Sequence, residues 1–270
     1  MTVSAMRLTV TVAISTLGAG VARIRLPKPQ PDIDYLILLQ APQDAPAGAE
    51  ETLQTGRGDV SILARPDRGL SNSRNAGLEQ AQGDLVLFSD DDVVLKVEGI
   101  LTLRDQFARD PDLVLAAGWR AERLPKTASV KKLTCFNSGR ICAPEFMVHK
   151  KKTLALDVRF DLEFGLGAHY GVGEDYVFVT DILRAGGVGC TVPVVIGAHP
   201  HTSTGDDWSD PALLAARQAV IGRVFGIWAG PIRFAYGLRH RRRFANGVEV
   251  WRFILSDARV GCQKDKRRRL

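Results

Sequence analysis

Cysteine is scarce in this chain and scattered where it occurs. Cys135, Cys142, Cys190 and Cys262 are four thiols in 270 residues, with no C-x-x-C pair and no zinc-site spacing. That excludes a disulfide framework and a structural zinc core, and it describes the reduced thiols of a cytosolic protein. Long apolar runs are missing as well. No stretch of about eighteen uncharged apolar residues, the length a bilayer-spanning helix needs, is present, so no transmembrane helix is predicted. Arg7, an apolar run and the small residues at 18–22 imitate a secretory leader, but strict alternation in Leu8-Thr9-Val10-Thr11-Val12 predicts a strand. A dinucleotide fingerprint is also lacking. Gly165, Gly167, Gly171 and Gly173 lie close together, yet no hydrophobic strand directly precedes them and no spaced acid follows.

What is present is enough apolar material, 45% of the residues, for one sizeable α/β core with an appendage. The net charge of +6 is unevenly spread. From Arg217 to the end there are fourteen Lys and Arg against three acids, which leaves the rest of the chain mildly acidic. A basic C-terminal segment on an acidic body points to an anionic surface as partner, either membrane lipid headgroups or nucleic acid. In the segment after Pro211, Phe225, Ile227, Trp228, Phe234 and Tyr236 precede the run Arg239-His240-Arg241-Arg242-Arg243. Aromatic and aliphatic residues beside clustered arginine describe an interfacial helix, or equally a helix packed on the body with a solvated basic end. Residues 264–269 read as a disordered basic tail.

The chain is organised around Gly69 to Val94, GLSNSRNAGLEQAQGDLVLFSDDDVV. It predicts a basic turn with Arg68 and Arg74, a short helix over 75–81, a buried strand Leu85-Val86-Leu87-Phe88, and three successive carboxylates, Asp90, Asp91 and Asp92. A strand ending in acids puts negative charge at the carboxyl edge of a sheet, where open α/β folds bind ligands. Adjacent carboxylates repel unless a cation lies between them, and a hard divalent ion that also reaches a phosphorylated substrate meets that need. The plainer alternative is a solvated turn and helix cap.

Strands are also predicted at 8–15, 35–39, 60–64 and 113–117, with shorter pieces at 140–143 and 145–148. A helix is predicted over 99–109, stopped by Pro111. Residues 121–132 read as a basic loop, and the lysines at 150–152 as a solvated face. A helix opens at Glu174 and ends at Gly186-Gly187. Acids in its first turn favour the helix dipole whatever else they do. The strand after Pro193 delivers His199-Pro200-His201.

Ser73-Arg74-Asn75-x-Gly77, the apolar strand, Asp90-Asp91-Asp92 and then Gly173-Glu174-Asp175 together resemble glycosyltransferase family 2 over residues 8–205. The likeness is to members that build bacterial surface glycans. It implies a GT-A fold, a Rossmann-like and mostly parallel central sheet flanked by helices, spanning 1–205 with a helical, basic C-terminal segment at 206–270. It also implies inverting transfer of a sugar from a nucleoside diphosphate, UDP above all, to a hydroxyl of a glycan or lipid-linked acceptor. Asp175 would be the general base. Thr16, Gln40, Arg74 and Asp90 would contact the donor, and Gly173 and Glu174 the acceptor. Asp90, Asp92 and His199, with His201 as competitor, would hold Mg2+ or Mn2+. Many family members carry an Asp where Gln40 stands, so base identity stays open, although a Gln amide also matches a uracil edge. Asn75 is read as locking its loop through backbone hydrogen bonds, and Asp91 as positional. The expected location is cytoplasmic, peripheral on the inner face of the membrane, with membrane preferred to nucleic acid. A sugar nucleotidyltransferase and a non-catalytic scaffold of polysaccharide assembly are the alternatives.

Overall fold

The middle of the sheet is buried on both faces, and the first half of the chain supplies most of its strands. In the computed structural model, which describes residues 7–199 and 204–256, β1 (Val10–Leu17), β2 (Ile33–Gln40) and β3 (Val60–Arg65) are parallel neighbours, with α1 (Ala49–Gln54) before β3. Next, α2 (Leu70–Gln80) leads into β4 (Leu85–Asp90), parallel to β1. The chain continues through β5 (Val94–Leu95), α3 (Val97–Arg109), β6 (Leu113–Arg120), β7 (Lys131–Lys132), β8 (Phe146–His149), α4 (Lys150–Ala155), α5 (Glu174–Arg184) and β9 (Val188–Ala198). One sheet runs β3-β2-β1-β4-β8-β6-β9-β5, with β7 beside β9. Its β3-β2-β1-β4 half is wholly parallel, while β8 joins antiparallel to both β4 and β6. Helices flank this sheet, which is the α/β architecture the sequence implies.

Strand β4 shows why the sheet is two-sided. Leu85 and Leu87 join one core with Val12, Tyr35 and Ile37, whereas Val86 and Phe88 join the other with Leu38, Phe146 and Phe178. The period of two sends alternate residues to opposite layers. Helix α5 docks on that second layer through Phe178, which stacks on Phe160 at 3.9 Å and meets Phe88 edge-on at 6.0 Å. Helix α2 approaches closely because Gly77 has no side chain: a Cβ there would lie 2.9 Å from Ala13 Cβ and from Leu38 Cδ1. Both helices therefore present their polar ends at the carboxyl edge of β1 and β4, where Ser15 is in register with Asp90.

Several local expectations need correction. The helix expected at 75–81 starts earlier, at Leu70, so the whole Ser-Arg-Asn motif is helical. Residues 140–143 form no strand. Ala143 precedes a cis Pro144 and the segment is held by turns, whereas the neighbouring piece is strand β8. The lysine run is not merely a solvated face. It opens α4, and Lys150 and Lys152 donate to the carbonyls of Ala81 and Pro111, their ammonium groups satisfying chain ends that have no helical partner.

Three helices follow the sheet: α6 (Pro211–Phe225), α7 (Ala229–Arg239) and α8 (Gly247–Leu255). Asp210 caps α6 by accepting from the Ala212 amide at 2.8 Å, ahead of a proline in its first turn. Val220 and Val224 of α6 are buried with Phe164 and Val177 of the sheet domain. Trp208, Ile221, Phe244, Val250, Phe253 and Ile254 form a separate small core under α7 and α8. The run Pro211–Arg239, 29 residues whose most apolar window has a mean hydropathy of 1.3, is by length and composition alone able to cross a bilayer; the three arginines inside it keep it from reading as an uncharged run. Pro200, His201, Cys262 and the basic tail at 264–269 lie outside the described residues.

Candidate active site

Each polar residue of the Ser-Arg-Asn turn of α2 has a separate partner. Ser71 Oγ donates to the Phe164 carbonyl at 2.6 Å, and Ser73 Oγ to Ser15 Oγ at 2.8 Å. Asn75 clamps the Phe160 backbone both ways, accepting from its N–H at 2.7 Å and donating to its carbonyl at 2.9 Å. Between them Arg74 points inward, 2% exposed. Its Nη1 lies 2.6 Å from Asp175 Oδ1 and 2.8 Å from Glu174 Oε1, and its Nη2 lies 3.1 Å from Asp90 Oδ1. One guanidinium thus joins the end of β4 to the start of α5, the latter about 100 residues further along the chain than Arg74 itself.

Three carboxylates sharing one cation, with Glu174 and Asp175 buried, leave a negative surplus, and the site responds through Asp175. Its pKa is pushed up to about 7, first by burial, against the pull of Arg74 and with the push of Glu174. Asp175 Oδ2 also accepts from the Ala143 N–H at 3.0 Å. Each oxygen has one protein donor, and a carboxylate offers about four acceptor positions, so lone pairs remain for a substrate hydroxyl. The same carboxylates hold Arg74 firmly charged, raising its pKa against the opposing effect of burial.

Gly173 caps α5 at φ +103°, and a Cβ there would lie 2.2 Å from Val220 Cγ2 of α6. Thr16, at the end of β1, donates to Asp91 Oδ2 at 2.7 Å, and Arg23 Nη2 meets Asp91 Oδ1 at 2.7 Å. Asp91 is 8% exposed, and burial raises its pKa despite both partners. The Gln40 amide nitrogen donates to the carbonyls of Asp67 at 2.9 Å and Gly69 at 3.3 Å, tying β2 to the turn before α2. Asp92 Oδ1 lies 3.2 Å from His199 Nε2, bringing together the end of the Asp90–Asp92 run and the residue that follows β9. Among the described residues no group of three or more His, Cys, Asp or Glu gathers to hold a metal. A divalent ion bound through substrate phosphates needs only one or two protein ligands, and the Asp92–His199 pair fits that lesser requirement.

The structure therefore brings Asp90, Glu174 and Asp175 together and joins Asp92 to His199, while Thr16 and Gln40 are engaged with neighbouring protein groups. Sequence reasoning missed Arg23 and the Ala143 amide. Arg23 stands in a short 3-10 turn at Gly18–Arg23, where Gly18, Gly20 and Arg23 imitate a phosphate loop only loosely, and a backbone donor has no sequence signature. Two hollows elsewhere, of about 500 Å3 beside Trp208 and about 390 Å3 between the 161–170 loop and α6, include none of Asp90, Asp92 or Asp175 in their walls. The convergence of charge, rather than concavity, identifies the site.

Three comparisons bear on this arrangement. No curated protein sequence matches the chain. Among solved structures, residues 1–349 of Staphylococcus aureus TarS in complex with UDP-GlcNAc align over 92% of this chain and 76% of that one, at 12% identity and a TM-score of 0.59. A longer S. aureus TarS structure is covered to only 44% of its length. The mannosyltransferase PcManGT from Pyrobaculum calidifontis, in complex with GDP-Man and Mn2+, aligns over 86% of this chain and 65% of that one, at 18% identity and a TM-score of 0.56. At these identities the likeness is one of fold, and it is the GT-A fold. The family description Glycosyl transferase family 2 matches residues 17–155, just over half of the 270, and the chain belongs to that family.

Proposed function

We propose that this glycosyltransferase moves a sugar, with inversion at the anomeric carbon, from a nucleoside diphosphate donor to a hydroxyl of a glycan or lipid-linked acceptor. The donor is a UDP-sugar in this reading. The observation that carries it is the Arg74 bridge, which ties Asp90 at the sheet edge to Asp175 at the start of α5. In the reaction the acceptor oxygen attacks the anomeric carbon and forms the new glycosidic bond. The bond from that carbon to the diphosphate breaks, and its electron pair leaves with the diphosphate. The hydroxyl proton passes to Asp175, whose raised pKa suits a base working near neutral pH. Protonation removes one negative charge from a cluster that has a surplus, so the environment favours the transfer. Arg74 holds Asp175 in place, and Glu174 and Gly173 border the acceptor side.

Asp92 and His199, with Asp90 nearby in the chain, would hold a divalent ion. An imidazole ligand favours Mn2+ over the more strictly oxygen-preferring Mg2+. When bound, the ion offsets charge on the departing diphosphate. Thr16 and Gln40 shape the donor side through the contacts they make with Asp91 and the 67–69 turn. The titles of the neighbouring structures name a uridine and a guanosine donor, which supports the nucleotide-sugar class and leaves the base to experiment.

Incubation with a panel of nucleotide sugars and Mn2+, without acceptor, tests the reading. Slow release of UDP from a UDP-sugar is the expected result. Chemistry that instead requires pyrophosphate, or no turnover of any donor, would replace the transferase reading with a nucleotidyltransferase or a scaffold.

A further inference from the structure

Helix α8 is apolar on both sides. Val250, Phe253 and Ile254 are buried with Trp208, Ile221 and Phe244. The opposite side carries Val248, Trp251 and Leu255, at spacings of three and four residues, and these are 67%, 52% and 75% exposed. A helix with an apolar stripe on its outer side as well as its inner one belongs in a protein core or against lipid, and among the described residues no core covers the outer stripe of α8. The apolar face continues onto α7, where the Phe234 ring meets Trp251 with centroids 6.4 Å apart. At the corner between α6 and α7, Ile227 and Trp228 are 92% and 64% exposed. Apolar exposure on this scale marks an interaction surface.

The surrounding charge has one sign. Residues 226–256 contain six arginines against the single acid Glu249, and Arg252 holds Glu249 at 2.6 Å. Arg239, Arg241, Arg242 and Arg252 are exposed. We propose that α7 and α8 form an interfacial platform that lies in the headgroup layer of an anionic bilayer. Trp228, Phe234, Trp251 and Leu255 enter the acyl boundary, and the arginines meet lipid phosphates. A second copy of the chain fits less well, because a twofold interface sets a patch against itself and would bring like arginines together. A membrane-spanning role for α6 also conflicts with its packing. Arg223 pairs with Asp161 at 3.0 Å and Asp181 at 2.7 Å, Val220 and Val224 are buried, and Gly226, at φ +54°, ends the helix. The platform lies on the membrane and α6 ties it to the sheet domain. This inference does not depend on the sugar-transfer reading.

The test is co-sedimentation of the full chain with vesicles, phosphatidylcholine alone against phosphatidylcholine with phosphatidylglycerol. Tryptophan emission and its quenching by brominated acyl chains provide a depth readout. Binding confined to the anionic vesicles, weakened by salt, with a blue-shifted and quenched emission, is expected. The double variant Trp251→Ser/Leu255→Ser should partition about tenfold more weakly, with its circular dichroism and acceptor-free donor turnover retained. Equal binding by variant and parent chains would assign the attraction to the basic tail and overturn the platform, as would binding without quenching. A lipid-free dimer that dissociates in the variant, with no vesicle binding by either chain, would assign the surface to self-association instead.

Discussion

Replacing Asp175 by Asn separates its chemical role from its effect on stability. An acid whose pKa rises from 3.8 unfolded to about 7 folded binds more protons in the folded state across that interval. Its contribution to stability is therefore fully present below about pH 4 and is lost as pH rises towards 7. Over that pH interval, at about 1.4 kcal/mol for each tenfold change in proton concentration, the ionised carboxylate costs the fold at most about 4 kcal/mol above pH 7. Asn imitates the neutral acid but presents an amide where Arg74 and the Ala143 N–H both donate, which takes back part of the gain. A net benefit of about 1–2 kcal/mol at pH 8 remains, or roughly 3–6 °C in Tm.

Thermal unfolding of the two proteins from pH 5 to pH 8 measures this directly. The Tm of Asp175→Asn minus that of the parent should climb as pH rises to 7 and then level off. Nucleoside diphosphate release should fall by about 10²–10⁴ at every pH, as expected for loss of a general base. A Tm difference that is flat with pH, or that moves against the variant as pH rises, would show that Asp175 has an ordinary or lowered pKa and that the charge-surplus argument is wrong. Near-normal turnover would remove Asp175 as the base.

Three further outcomes follow from the same geometry. Arg74→Met leaves Asp90, Glu174 and Asp175 without their shared cation and should destabilise the fold by about 3–5 kcal/mol, read from chemical denaturation at pH 8. Gly173→Ala combines φ +103° with a contact 2.2 Å from Val220 Cγ2 and should cost about 1–3 kcal/mol. Val220→Ala in the same chain should recover part of that loss in a thermal melt. Chelation should abolish donor turnover and added Mn2+ should restore it, while His199→Ala should raise the Mn2+ concentration for half-activity about tenfold or more, measured by titration.

Where the sequence spoke clearly, it did so through residues whose local chemistry leaves few choices. The uninterrupted apolar run Leu85 to Phe88 allows only a doubly buried strand. Asn75, with one donor and one acceptor side, suits a backbone clamp, and it clamps Phe160. Glu174 and Asp175 stand where a helix begins, and α5 starts at Glu174. Other features depend on the fold itself. Arg74 is an arginine like any other until Gly77 lets α2 settle onto Ala13 and Leu38 and turns the guanidinium inward. The amide that braces Asp175 comes from Ala143 in a turn with no motif, and Arg23 reaches Asp91 from a 3-10 turn that merely follows β1. Lys150 and Lys152 look solvated in sequence because nothing local reveals that open carbonyls lie beside them.

The C-terminal helices divide by what they cover, and this division joins the site to the proposed platform. Val220 and Val224 bury Phe164 and Val177, and Val220 stands where a side chain on Gly173 would go. A cut at 205/206 would thus uncover the first turn of α5, so α6 acts as a roof of the sheet domain although it follows the family core in sequence. Arg223, held by Asp161 and Asp181, fixes that roof to both the 161–170 loop and α5. Helices α7 and α8 share the Trp208–Phe253 core with Ile221 of α6, so their outer apolar face is fixed, through α6, relative to Glu174 and Asp175. A membrane beneath that face would hold the acceptor side of the site at a set distance from the lipid surface. If the proposed platform and the proposed sugar transfer both hold, such a fixed distance matters most for an acceptor that is itself anchored in lipid.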